Sequence, residues 1–281
     1  MDMAIPCLYY GVPLVSHRFA KFEPEAAYRL MARERVTNAF IPPTALRLMK
    51  QAASPTGLHL RAVSSGGEPL GADMLDWGEA VLGAEVNELY GQTEANLIVA
   101  ARSAMMTRVP GAMGLPVPGH DVRVLGADDR ETGAGEVGEV CLAMPDPVAF
   151  LRYWNKPEAT ADTLKDGWLY TGDICTWDSE GFITICDRKK DMIISGGENI
   201  YPAELENVLA ACPDVQEAAV IGVPSEKWGE TPLALVVAAP GTSPDTDSLK
   251  QWCRDHLAGY KVPQLYEVVD SLPRNPSGKL L

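Results

Sequence analysis

Cysteine is sparse in this chain and follows no ligand pattern. The six residues Cys7, Cys141, Cys175, Cys186, Cys212 and Cys253 form no C-x-x-C pair and have no histidine nearby, so neither a zinc site nor a disulfide framework is indicated. Basic charge is also in short supply. Lys and Arg number 24 against 38 Asp and Glu, a formal net charge of −14, which argues against a nucleic-acid partner because such partners are met with basic surface. An adenine nucleotide needs only local donors and stays open. No apolar run is long enough to span a bilayer, and no signal peptide is read at the start, so the expected location is the cytoplasm. What is plentiful is apolar content, 46% of 281 residues, enough for about two domains of roughly 100–200 residues each and too much for disorder.

Along the chain, strand and helix signals alternate. Met1 to Tyr10 is apolar and helix-like, reading as the interior of a domain, and Gly11 to Val15 reads as a turn into a short strand. An amphipathic helix is expected over Glu23 to Arg35 with Pro24 in its first turn, a strand over Thr37 to Ile41, and a helix over Pro43 to Ala53. Strand Arg61 to Ser64, helix Asp73 to Leu82 and strand Glu85 to Leu89 follow. The economical fold is α/β, a sheet with helices packed on it. From Met105 to Trp154 the chain turns β-rich and Gly/Pro-punctuated, with strands Asp121 to Leu125 and Val137 to Met144, before a short helix Pro157 to Leu164. Gly133-Ala134-Gly135-Glu136-Val137-Gly138 satisfies G-x-G-x-x-G. A dinucleotide fingerprint needs a strand before it and a helix after it, and here a polar turn precedes and a strand follows, so that reading is rejected. Past Lys190, helix Ala203 to Ala211, strands Val215 to Val223 and Leu233 to Ala239, helix Leu249 to Leu257 and strand Leu265 to Val269 describe a small α+β domain. The expected division is 1–189 and 190–281.

Three stretches carry pointed chemistry. Ser64-Ser65-Gly66-Gly67-Glu68-Pro69-Leu70 follows a strand and precedes a helix, where open α/β sheets bind ligands. Tyr90-Gly91-Gln92-Thr93-Glu94 follows the next strand, so the two loops are expected to be neighbours. Tyr90 offers a flat face for a purine, Thr93 a hydroxyl donor to phosphate, and Glu94 a hard oxygen ligand for Mg²⁺. Either loop alone reads as an ordinary glycine turn, with Tyr90 in the core. The third stretch runs from Tyr170 to Pro202. Tyr170-Thr171-Gly172-Asp173 places a carboxylate at the end of a tight glycine turn, able to accept two hydrogen bonds from a vicinal diol such as ribose. Apolar runs Phe182 to Cys186 and Met192 to Ile194 flank the polar turn Asp187-Arg188-Lys189-Lys190-Asp191, in which Arg188 can donate a planar fork to hydroxyls or phosphate. Ser195-Gly196-Gly197 leaves the backbone open to close approach. Near the end, Lys279 follows Ser277-Gly278; a lone lysine there is ordinarily a solvated charge.

Taken together, these motifs resemble the AMP-forming acyl-CoA synthetases, the adenylate-forming superfamily that also holds aryl-CoA ligases, luciferases and peptide-synthetase adenylation domains. The resemblance implies part of the large adenylate-forming domain, sheet with packed helices plus a β-rich subdomain, followed by a small mobile C-terminal domain. It implies ATP and AMP, Mg²⁺ and coenzyme A as ligands, a carboxylic acid as substrate, and adenine and AMP-phosphate contacts from Gly67, Glu68, Pro69, Tyr90, Gly91, Gln92 and Thr93. Glu94 becomes the magnesium ligand, Asp173 and Arg188 the ribose contacts, Lys279 the adenylation lysine, and Ser195, Gly196 and Gly197 the wall of a pantetheine tunnel. Lys190 falls at the family's hinge position.

The family's Ser/Thr/Gly-rich phosphate loop ending in Pro-Lys is not found in the 281 residues. The expectation is therefore a fragment with weak or no ATP turnover by itself. Gly66-Gly67-Glu68-Pro69-Leu70 and Phe150-Leu151-Arg152-Tyr153-Trp154-Asn155 look like the acetyl and medium-chain branch, whereas Ile194 to Pro202 looks like fatty-acyl and aryl-CoA ligases, so the acid stays open. Two rivals remain: an adenylation unit that loads a carrier protein, and a non-catalytic nucleotide-binding remnant.

Overall fold

A computed structural model of the chain describes residues 4–67, 70–109 and 111–274. Two helices come first, α1 (Ala4–Tyr10) and α2 (Pro24–Arg33). Pro24 opens α2, where a missing N–H costs nothing, and Ala27, Tyr28 and Met31 fall on its buried face. Strand β1 (Asn38–Phe40), helix α3 (Pro43–Gln51), strand β2 (Ala62–Gly66), helix α4 (Ala72–Trp77) and strand β3 (Val86–Gln92) follow; α4 passes into a π-helical turn over Gly78–Leu82. β1, β2 and β3 run parallel. The helices bury Leu46, Met49 and Leu75 in one core with Val63 and Val86 of the strands. Strands β4 (Ala95–Ala100) and β5 (Leu115–Pro116) add antiparallel to complete a sheet of order β1-β2-β3-β4-β5.

A second sheet is built from β6 (Val122–Leu125) and β7 (Gly138–Ala143), then, after helix α5 (Pro157–Thr163), from β8 (Leu164–Lys165), β9 (Trp168–Trp177) and β10 (Ile183–Arg188). Its order is β10-β9-β7-β6, with β8 paired to β9. Gly133 to Gly138 leads into β7, not into a helix, as its rejection as a dinucleotide motif requires.

The third sheet has a core of its own. It comprises β11 (Ile193–Ser195), β12 (Glu198–Ile200), helix α6 (Pro202–Ala210), strands β13 (Val215–Ser225) and β14 (Gly229–Ala238), helix α7 (Thr246–His256) and strand β15 (Leu265–Val268). The order is β12-β11-β14-β13, with β15 parallel to β14. Leu205 and Leu209 of α6 and Leu249 and Cys253 of α7 pack with Ile193, Val220 and Val236. Burying each such leucine contributes about 1.5–3 kcal/mol. Asp245 caps α7, its carboxylate accepting the Asp247 and Ser248 N–H groups, both at 3.0 Å.

Two compact units emerge, Met1–Thr171 with Thr176–Ile185, and Gly172–Cys175 with Cys186–Leu281. The division runs through β9 and β10, so the C-terminal unit takes in short pieces upstream of the 189/190 boundary expected from composition. No helix among the described residues is long and apolar enough to cross a membrane.

Several local expectations need correction. Gly11 to Val15 forms no strand. Tyr90, Gly91 and Gln92 are not loop but the end of β3; only Thr93-Glu94 turns, in a hairpin where Gln92 pairs with Ala95 across a register shift after Tyr90. Pairing with β4, which the composition did not announce, holds Gly and Gln in a conformation they do not favour by themselves. Asp173 likewise lies inside the continuous strand β9, not at the end of a turn, with Gly172 at φ +75° beside it.

Candidate functional site

In the N-terminal unit, β2 and β3 lie side by side with Gly66 opposite Leu89, which brings the two ligand-type segments to adjacent strands. Tyr90 is 8% exposed. Gln92 Nε2 donates to the Thr171 carbonyl at 3.0 Å, fixing the β3–β4 hairpin to the first part of β9. Thr93 is exposed at the turn, and Glu94 is half-buried. The Glu94 carboxylate accepts the Tyr153 hydroxyl at 2.7 Å, and its carbonyl accepts the Phe150 N–H at 2.8 Å. Burial first, and then that hydrogen bond to Glu94, raises the Tyr153 pKa, so the phenol stays a donor. Among the described residues no three His, Cys, Asp or Glu side chains gather into a metal cage. A single half-buried carboxylate fits Mg²⁺ as that ion is commonly held, by one or two carboxylates with substrate phosphates and water supplying the rest. Glu68 and Pro69 lie outside the described residues.

In the C-terminal unit, Asp173 is 7% exposed, and Arg188 Nε stands 3.4 Å from its Oδ1. The Lys189 N–H donates to the Gly172 carbonyl at 2.8 Å, so the end of β10 is clamped to the residue before Asp173. A nearly buried acceptor beside a half-exposed guanidinium suits a diol, which needs both an acceptor and a donor. Asp187, one residue upstream of Arg188, accepts the Arg188 N–H at 2.7 Å and the Ala203 N–H at 2.9 Å. Its pKa is pushed up, chiefly by burial, while those two backbone donors oppose the shift. Lys190 is exposed in the turn that follows Arg188.

The Ser195-Gly196-Gly197 turn joins β11 to β12. Gly196 has φ +61°, and a Cβ there would stand 2.8 Å from Cε3 of Trp228. The Gly196 N–H donates to the Trp228 carbonyl at 2.9 Å, and the Ile194 N–H donates to Glu230 at 3.1 Å. Lys279 lies outside the described residues. Sequence reasoning passed over Tyr153, Asp187, Trp228 and Glu230, because each meets its partner far along the chain, where no local spacing announces it.

With this geometry in place, known proteins can be compared. A family model described as AMP-binding enzyme matches residues 1–154, and one described as AMP-binding enzyme C-terminal domain matches residues 204–279. The chain belongs to the AMP-binding enzyme family. The chain is 42% identical over 280 residues to the fatty acid–[acyl-carrier-protein] ligase ScoC of Streptomyces coeruleorubidus, covering 96% of this chain and 53% of that protein. It is 41% identical over 288 residues to a feruloyl-CoA synthase from an Amycolatopsis species, covering 99% and 57%. Among solved structures, the o-succinylbenzoate CoA synthetase of Bacillus subtilis, in complex with the acyl-adenylate intermediate OSB-AMP, matches with TM-score 0.88 and 32% identity, covering 98% of this chain and 56% of that chain. The chain thus spans about half the length of the relatives it matches. Its fold is the adenylate-forming α/β architecture with a small C-terminal domain.

Proposed function

We propose that this protein acts in ATP-dependent, AMP-forming acid–thiol ligation, in which a carboxylic acid becomes an acyl-adenylate and then a thioester of coenzyme A. The observation that carries the proposal is the Asp173–Arg188 pair at 3.4 Å, a buried acceptor and a planar donor suited to a ribose diol. Gln92, bonded to the Thr171 carbonyl, holds the end of β3 that carries Tyr90 in place within the N-terminal unit. In this assignment the AMP moiety rests on Gly67, Glu68, Pro69, Tyr90, Gly91, Gln92 and Thr93. Glu94 would hold Mg²⁺, which would offset phosphate charge.

In the first step a carboxylate oxygen attacks the α-phosphorus of ATP, and the bond to pyrophosphate breaks. Negative charge crowds that centre, and the ammonium of Lys279 opposes it. Asp173 and Arg188 fix the orientation of the nucleotide. In the second step a thiol sulfur attacks the acyl carbonyl and AMP leaves, with Ser195, Gly196 and Gly197 lining the approach. Lys279 and this glycine turn serve different steps, so the small domain turns about Lys190 between them.

Calorimetry with an acyl-sulfamoyl adenosine tests the nucleotide assignment. Asp173→Ala is expected to weaken binding by about tenfold or more, the loss of a charged acceptor from a buried hydrogen-bond site. No binding by the unmodified chain, or wild-type affinity in the variant, removes the proposal. A second acceptor is favoured by the name of one relative, a ligase for an acyl-carrier protein. Loading of a carrier thiol in preference to free coenzyme A selects that alternative.

A further inference from the structure

We propose that Glu88 is a positioning residue, holding Leu70 against β3 beside Tyr90 and so shaping the nucleotide site on that strand. The inference rests on the nucleotide-binding reading above. Glu88 lies in the middle of β3 and is 3% exposed, an expensive place for a carboxylate unless it does something an apolar residue cannot. What it does is accept the Leu70 N–H at 2.8 Å. Leu70, itself 3% exposed, begins the run into α4. A leucine or methionine at position 88 would fill the core but leave that buried amide without an acceptor.

Placement on the strand matters as much as the bond. Alternate residues of a strand share a face, so Glu88 and Tyr90 project to the same side of β3. Gly66 is fixed on the same strand: it pairs with Leu89, and a Cβ at Gly66 would stand 2.5 Å from the Leu89 carbonyl oxygen. Gly66 and Leu70 are thus each held on β3, at Leu89 and at Glu88, immediately before Tyr90. Burial raises the Glu88 pKa, while the Leu70 N–H and the Arg108 guanidinium oppose the shift. Arg108 is itself held by Asp76 at 2.7 Å. An acceptor oxygen at this spot, more than its charge, is what the Leu70 amide needs.

The test uses the purified chain and three variants, titrated with AMP and with an acyl-sulfamoyl adenosine at a temperature well below each melting point. Hydrogen exchange of the Leu70 amide is measured in parallel. Glu88→Ala is expected to bind both probes about tenfold or more weakly and to exchange Leu70 faster. Glu88→Gln keeps a carbonyl acceptor and is expected to stay within about threefold of wild type, with Leu70 still protected. Leu75→Ala, in the core of the same unit, controls for simple loss of stability and is expected to leave affinity unchanged. Wild-type affinity in folded Glu88→Ala, an equal loss in Leu75→Ala, or unaltered Leu70 exchange overturns the positioning role alone. Failure of the unmodified chain to bind either probe overturns the nucleotide reading and this role with it.

Discussion

At Gly196 one added methyl group would be penalised twice. The residue sits at φ +61°, a region that side chains with a Cβ enter at a cost of about 1 kcal/mol. The new carbon would also stand 2.8 Å from the Trp228 ring, which must move. Gly196→Ala is therefore expected to lower stability by about 1–3 kcal/mol and to change the Trp228 environment, read by denaturant titration with tryptophan fluorescence. Unchanged midpoint and emission would show that the ring yields freely. Close approach to this glycine was legible in Ser195-Gly196-Gly197. That the chain's own tryptophan makes the approach was not, because Trp228 arrives from the β13–β14 connection, far along the sequence. Glu88 and Asp187 were hidden for the same reason. A carboxylate in an apolar strand or in a charged turn acquires meaning only from the amide it meets, 18 and 16 residues away.

At the scale of elements, α6 shows how such a carboxylate acts. Pro202 opens the helix and Leu205 and Leu209 bury one face, a pattern readable from sequence. Its N-cap residue Tyr201 makes no side-chain cap bond; the Ala203 N–H goes to Asp187, which also takes the Arg188 N–H. Asp187→Ala is expected to cost about 1–3 kcal/mol by leaving both donors without that acceptor, measured by urea denaturation at neutral pH. The pH dependence follows from the raised pKa of Asp187. Between its unfolded and folded pKa values the folded chain binds the proton more tightly, so the proton-linked part of its contribution is full in acid and is lost as pH rises through the folded value, while the two backbone hydrogen bonds persist. Asp187→Asn should flatten that part of the melting profile, while Glu206, also raised by burial, keeps its own share. An unaltered profile would remove Asp187 as a source of the slope. Amphipathic helices and short apolar strands were thus visible in advance, whereas β4 and the full length of β9 were not. Gly172, at φ +75°, interrupts the alternation of β9, and the groups that hold it and the Gln92 side chain, the Lys189 N–H and the Thr171 carbonyl, are remote in sequence.

At the scale of the whole molecule, the two compact units meet in sequence at strands β9 and β10, and Lys190 follows directly. Its neighbours are tied down: Lys189 gives its N–H to Gly172, and Asp191 and Met192 give theirs to Arg188. Exposed Lys190 lies between these fixed points, which suits a residue that absorbs the φ/ψ change of a rotating domain. Proline at this position would lock φ near −65° and restrict Lys189 as well, so one of two arrangements should be lost while the other survives. In enzyme competent for both half-reactions, Lys190→Pro is expected to leave acid-dependent ATP–pyrophosphate exchange within about threefold, whereas thioester formation falls by about tenfold or more. Parallel loss in both steps would mean that the turn supports the fold or the nucleotide site in general. Separation of the two rates would mean that adenylation and thiol transfer use one small domain in two orientations, with Lys279 presented in the first and Ser195, Gly196 and Gly197 in the second.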